Sequence, residues 1–207
     1  MLPCKRISIC MASDNGSNVP AYVNTFFEER LERLFKLADL IEKIFASAGL
    51  EYRVVGGLAT YQYVEEAAPD AGRLTRDIDI LVRREDLEKI AKAAEPFGFR
   101  YRHAAGLDML LPVEEPLARR AVHLLLAGEK VNREYIEATP QLGPAKVIKG
   151  MRLIPLPDLV RMKLTSFRLK DQMHLKDLEE AGLLPPEIEA GLPPILRERL
   201  AQVRAHK

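Results

Sequence analysis

Cysteine is almost absent from this sequence. The 207 residues include two, Cys4 and Cys10, both in the first ten positions, and they match neither a zinc spacing nor a disulfide framework. A reducing cytoplasm is the expected setting. Long apolar runs are missing too. No stretch approaches the ~18 residues needed to cross a bilayer, and the start lacks the apolar segment and cleavage site of a secretory signal. Net charge is nearly nil: 31 basic against 30 acidic residues give +1, so no long-range field recruits nucleic acid or an anionic membrane. Any basic surface has to be local. There is no internal repeat and no low-complexity tract. What is present, 47% hydrophobic and 29% charged residues, is ordinary soluble composition and suffices for one compact core.

Residues 1–22 read as a loose leader. They run into Ser13-Asp14-Asn15-Gly16-Ser17-Asn18-Val19-Pro20, a series of turn formers, although Ile7 to Ala12 could form a stray strand. The first helix is expected from Thr25, where Thr25 and Glu28 have the spacing of a capping box. Phe27, Leu31, Leu34, Phe35, Ala38, Ile41, Ile44, Phe45 and Ala48 then recur at helical spacing, and Gly49 ends the helix. Tyr52 to Val55 reads as a strand, Leu58 to Glu66 as a helix and Asp77 to Val82 as a second strand. A helix at Glu85 to Ala94 follows, then strands at Phe97 to Arg102, Leu107 to Leu111 and Ala121 to Leu126. After about residue 156 the pattern is helical only, at Asp158 to Leu169, Asp171 to Ala181 and Pro194 to Arg204, divided by Pro185-Pro186 and Pro193-Pro194. The expected fold class is α+β: a mixed sheet flanked by helices over 23–156, with a C-terminal helical subdomain over 157–207.

Within Thr75-Arg76-Asp77-Ile78-Asp79-Ile80, strand alternation puts Asp77 and Asp79 on one face, ~6.5–7 Å apart along the chain, and Ile78, Ile80 and Val82 on the other. Two carboxylates facing one way in an apolar strand repel each other unless a cation or an open cleft relieves them. Mg2+ (or Mn2+) suits hard oxygen ligands combined with substrate phosphates. The other reading is a solvated edge strand whose aspartates pair with Arg76 or Arg83. Gly56-Gly57, between Val54-Val55 and a helix start, would let phosphate approach backbone amides, or would simply form a tight turn.

With these residues in place, the sequence resembles the nucleotidyltransferase fold of polymerase beta type, near the small bacterial nucleotidyltransferases and AbiEii-type toxins. The resemblance rests on Val54-Val55-Gly56-Gly57-Leu58-Ala59, on Thr75 to Val82 and on Pro155 to Leu164, and covers roughly residues 30 to 180. It implies that Gly56 and Gly57 hold a triphosphate, with Thr75 and Arg76 at the nucleotide, and that Asp77 and Asp79 bind the divalent metal. The family's third carboxylate lies on a later strand and helps activate the nucleophile. The matching position here is His123, a residue that can ligate metal, accept a proton or sit hydrogen-bonded in the core.

Between Pro144 and Lys170 there are seven basic residues and one acid, Asp158. On a continuous helix Lys163, Phe167, Lys170 and His174 would form one stripe, either solvated or facing phosphate. The stretch Ser166 to Leu178 looks like the Lys-Asp element of toxin-type members, which implies Lys163, Lys170 and Asp171 near the nucleotide. Asp171 could instead cap a helix. His103 and His174 show no metal-ligand spacing and read as structural or surface residues. The expected activity is transfer of a nucleoside monophosphate from NTP to a hydroxyl acceptor, which could be tRNA, a protein or a small molecule. The alternatives are a catalytically impaired nucleotide or RNA-binding module, or a toxin–antitoxin component that acts through an antitoxin partner.

Overall fold

The computed structural model describes residues 21–75, 77–114 and 121–205, with side chains from residue 28 onward. Residues 1–20 of the leader, with its stray strand and both cysteines, lie outside these residues, as does Arg76, and the last two leader positions, Ala21 and Tyr22, belong to the first helix. The long first helix, α1 (Ala21–Ser47), starts four residues before Thr25, so Thr25 is interior to the helix and no capping box starts it there. Its end is as expected. Gly49 takes a left-handed φ of 63°, Gly49 N donates to Ala46 O and Leu50 N donates to Phe45 O, the paired bonds that close a helix C-terminus.

Strand β1 (Arg53–Val55) leads directly into α2 (Gly56–Ala67), and the chain returns as β2 (Ile78–Val82). This strand, helix, strand unit is antiparallel, with Val55 opposite Asp79. After α3 (Leu87–Ala94) come β3 (Phe99–Ala104), β4 (Leu107–Pro112) and β5 (Val122–Leu126). Two strands that the sequence reading missed, β6 (Lys146–Ile148) and β7 (Met151–Leu153), form a hairpin in the segment read only as basic. Lys149 and Gly150 both have positive φ, the geometry of a two-residue hairpin turn. The seven strands order as β3-β4-β5-β2-β1-β7-β6, with parallel β5/β2 and β1/β7 pairs in an otherwise antiparallel sheet. The α+β class with a mixed, helix-flanked sheet is therefore observed.

The chain then continues as α4 (Leu156–Ser166), α5 (Leu169–Glu180), α6 (Pro186–Ala190) and α7 (Pro194–Ala205). Between α4 and α5, Phe167 adopts a left-handed φ of 48°, so the expected continuous stripe from Lys163 to Lys170 is broken and the two lysines stand on different helices. Arg199 of α7 covers this turn. Its Nη1 donates to Leu164 O and Thr165 O, carbonyls left open where α4 ends, and its guanidinium lies 5.0 Å from the Phe167 ring centre. One buried cluster runs from Ile41 and Phe45 through Val54, Ile80 and Val122 to Leu164, Leu175 and Leu196, so sheet and helices share a core. Among the described residues no helix is long and apolar enough to cross a membrane.

Ile80 has no exposed surface and lies on β2, in the interior of the sheet. Ile80→Ala lowers the unfolding free energy by about 2–5 kcal/mol through lost burial and a cavity. Equilibrium urea denaturation measures this, and a loss below about 1 kcal/mol would contradict a central β2.

Candidate functional site

Because β2 and β5 are parallel neighbours, their register decides which side chains meet. Asp79 lies opposite His123. The ring nitrogen Nδ1 of His123 is 2.9 Å from Asp79 Oδ1, and both side chains are about one-quarter exposed. A carboxylate only accepts, so Nδ1 carries the hydrogen, and a neutral ring then presents a lone pair at Nε2. The hydrogen bond to Asp79, with the charges of Asp79 and Asp77, raises the His123 pKa against the opposing effect of burial.

The glycine turn closes on the same carboxylate. Gly56 has φ 67°, and a Cβ added there would lie 3.0 Å from Asp79 Cγ and closer still to Oδ2. A Cβ on Gly57 would lie 2.6 Å from Thr75 Oγ1 and 3.5 Å from His174 Cε1. These hydrogens are thus needed first to seat the turn on the chain's own side chains, Asp79 in front and Thr75 and His174 behind.

A cleft of about 220 Å³ opens over this floor, lined by Gly56, Asp77, Asp79 and His123 below and by Lys163, Arg168, Lys170 and Asp171 from α4 and α5. Gly57 and Thr75 sit behind its lining. The rest of the lining is mostly apolar, Leu107, Leu125, Val131, Tyr135, Glu137 and Ala138, with Leu159, Met162 and Thr165 of α4. Of the expected site residues within the described range, the structure brings all to this cleft or directly behind it.

The cationic wall is a connected network. Lys163, 4% exposed, donates from Nζ to Asp171 Oδ1 at 3.0 Å and to His174 Nδ1 at 2.8 Å. Ser166 Oγ and Arg168 Nε each donate to Asp171 Oδ2 at 2.7 Å. Asp171 is the third residue of α5, fully buried, and makes no capping bond. Burial alone would raise its carboxyl, but the bonds from Arg168 and Ser166 and the charge of Lys163 outweigh that and hold it at about 2. Burial pushes Lys163 downward against the pull of Asp171. Burial and the Lys163 charge push His174 down to about 4, so it stays a neutral acceptor. Lys170 lines the rim, exposed.

Sequence reasoning left out Arg168, Ser166 and His174 as site residues, and placed no ligand wall on 131–139. His103 is an exposed partner of Asp108, with Nδ1 2.7 Å from Oδ1. Two polar groups of the cleft lack complete pairing. Thr165 Oγ1 is buried without a hydrogen-bond partner among the described residues, and Glu137 Oε2 lies 3.2 Å from Arg161 Nε without hydrogen-bond alignment.

The donor set suits a hard divalent cation in one respect. None of the described residues hydrogen-bonds or ion-pairs with the Asp77 carboxylate, and Asp79 keeps Oδ2 clear of His123. Among the described residues, no group of three His, Cys, Asp or Glu side chains is arranged to hold a metal. Two carboxylates completed by water and substrate oxygens fit Mg2+, which demands no all-protein cage.

No protein-family model matches the chain, and no curated protein matches it in sequence. Among solved structures it is similar to ANT(2'')-Ia in complex with adenylyl-2''-tobramycin (TM-score 0.49, 16% identity, covering 82% of this chain and 99% of that one). It is also similar to the antibiotic-resistance factor ANT(2'')-Ia in solution (TM-score 0.44, 16% identity, 82% and 83%) and to the Megavirus polyadenylate synthase (TM-score 0.48, 11% identity, 86% and 41%). Residue roles do not transfer at such identities, and the roles proposed below rest on the chemistry of this cleft.

Gly56→Ala forces a Cβ onto Asp79 in a left-handed backbone, and is expected to cost about 1–3 kcal/mol of stability. Any ligand affinity that depends on Asp79 falls with it, as read by thermal melting and titration calorimetry. Wild-type stability and affinity in this variant would contradict the close seating.

A second prediction concerns pH. The charged groups facing His174 are Lys163 from α4, Lys170 and Asp171 from its own helix, and Arg73. Its folded pKa of about 4 lies below the unfolded value of 6.5. The unfolded chain therefore binds the proton first, and stability falls as pH drops from about 6.5 to 4. At ~1.4 kcal/mol per unit this amounts to at most about 3.5 kcal/mol. Denaturant midpoints measured across that window show the slope, and His174→Asn flattens it.

Proposed function

We propose that this chain transfers a nucleoside monophosphate from an NTP to a hydroxyl acceptor. The observation that carries the reading is the in-register Asp79–His123 pair beside Asp77, seated on the Gly56 turn and facing the Lys163, Arg168 and Lys170 wall. A carboxylate floor opposite a cationic wall suits a phosphate chain with its divalent counter-ion.

Asp77 and Asp79 Oδ2 would hold Mg2+ (or Mn2+), which when bound neutralises the phosphates and steadies the entering and leaving oxygens. Lys163, Arg168 and Lys170 orient the triphosphate. Gly56 and Gly57, at the start of α2, bring backbone N–H groups towards it. His123 takes the acceptor's hydroxyl proton at Nε2, while Asp79 Oδ1 fixes the ring through Nδ1. The acceptor oxygen bonds to the α-phosphorus as the bond to the β-phosphate bridging oxygen breaks, and pyrophosphate leaves. The nucleoside faces the apolar wall, where Tyr135, Leu159 and Met162 offer contact. The same floor with His123 in place of a third carboxylate also supports a second reading, nucleotide binding without turnover.

Incubation with α-labelled NTPs, Mg2+ and pooled tRNA, protein or small-molecule acceptors decides between them. Asp77→Asn lowers transfer at least a hundredfold with the fold retained. NTP binding without transfer in the wild type favours the second reading, and absence of both ends the proposal.

A further inference from the structure

The Lys163 ammonium has three N–H donors. Asp171 and His174 take two, and the third is left for the cleft that the residue lines. His174 is the partner with no role assigned so far. It touches two parts of the site at once: Nδ1 accepts a hydrogen bond from Lys163 Nζ at 2.8 Å, and Cε1 lies against the Gly57 position. No other described side chain both bonds Lys163 and abuts the glycine turn. A buried ammonium with Asp171 as its one acceptor could swing towards that carboxylate. A second acceptor on a different bearing removes that freedom.

We propose that His174 is a positioning residue, which holds the Lys163 ammonium beside the glycine turn with its remaining N–H aimed at the phosphate chain of a nucleoside triphosphate. The proposal rests on the nucleotide reading above. His174 itself need not touch substrate. Its contribution passes through Lys163, and it depends on an acceptor atom at the Nδ1 position rather than on an aromatic ring. Asparagine supplies such an atom, because its side-chain carbonyl oxygen sits at the same bond distance from the backbone as Nδ1. Leucine fills similar space and supplies none.

Titration calorimetry in Mg2+ with an NTP, the corresponding NMP and inorganic tripolyphosphate tests this in the full chain. His174→Leu weakens NTP and tripolyphosphate binding about tenfold, the scale of one charge-assisted hydrogen bond, and leaves the NMP affinity within about twofold. His174→Asn restores NTP binding to within about threefold of wild type. Lys163→Met weakens NTP binding at least as much, and adding His174→Leu to it changes nothing further, because the two act as one unit. If His174→Leu does not fold, His174→Ser, which also leaves no acceptor within reach of Nζ, takes its place. Additive losses in the double variant, or failure of Asn to restore binding, overturn the proposal. NTP binding weakened by Lys163→Met but untouched by His174→Leu overturns it while the nucleotide reading stands. Wild-type protein that binds no NTP overturns both.

Discussion

Burying an ammonium group is the constraint from which the helical half of the site follows. Lys163 is almost fully enclosed, and an ammonium without partners there would cost several kcal/mol. Its two partners, Asp171 and His174, come from the next helix. The chain therefore reverses at Phe167 and restarts at Leu169, which brings Asp171 and His174 under Nζ. Asp171 is held in turn by Ser166 and Arg168, both from the end of α4 and the turn, so the reversal and the ion network define each other. Two cations around one carboxylate leave a positive surplus. That surplus faces Asp79 of β2 and Asp77, which directly precedes the strand. A buried ion network is weak evidence for stability, since apolar residues of similar volume do as well or better. Its one-sided charge makes better sense as the wall of an anion site.

The carboxylate face, the glycine turn and the register partner were largely legible in the sequence. Strand alternation put Asp77 and Asp79 on one face, and the Gly56-Gly57 pair read as a close approach for phosphate or as a tight turn. What the sequence could not give was the reason. The missing Cβ atoms accommodate Asp79, Thr75 and His174, contacts between residues 18 to 117 positions apart that no local pattern encodes. The resemblance located His123, but its contact with Asp79 depends on parallel pairing of β2 with β5, a property of the sheet.

Other features were illegible for local reasons. The β6–β7 hairpin turns on Lys149-Gly150, and lysine is not a residue that announces a left-handed turn position, so a run of basic residues masked two short strands. The break at Phe167 is partly similar: the helical reading divided the two pieces at Lys170, and with neither glycine nor proline at Phe167 to mark the turn, it came three residues late and let the stripe from Lys163 run on. That break converts Lys163 and Lys170 from neighbours on one face into a buried network residue and an exposed rim residue. His174 was visible as the last member of that stripe. Its function as an acceptor for Lys163 emerges only when the stripe is folded back on itself.

The charge balance of the cleft bears on how His123 could replace an acid. A third carboxylate would add a negative charge to Asp77 and Asp79, drawing a metal more strongly but also repelling the phosphate oxygens that must approach it. His123 instead ties Asp79 Oδ1 with an N–H, which fixes that carboxylate and leaves Oδ2 beside Gly56 for a further partner. On the proposed reading, such a floor would hold a metal less firmly by itself and would rely more on ligands arriving with the substrate. The cationic wall would offset this deficit from the other side, because Lys163, Arg168 and Lys170 carry the charge opposite to that of a phosphate chain. A cleft so arranged would complete its charge balance only when an anion and a cation arrive together, since neither the floor nor the wall is complementary to such a pair alone.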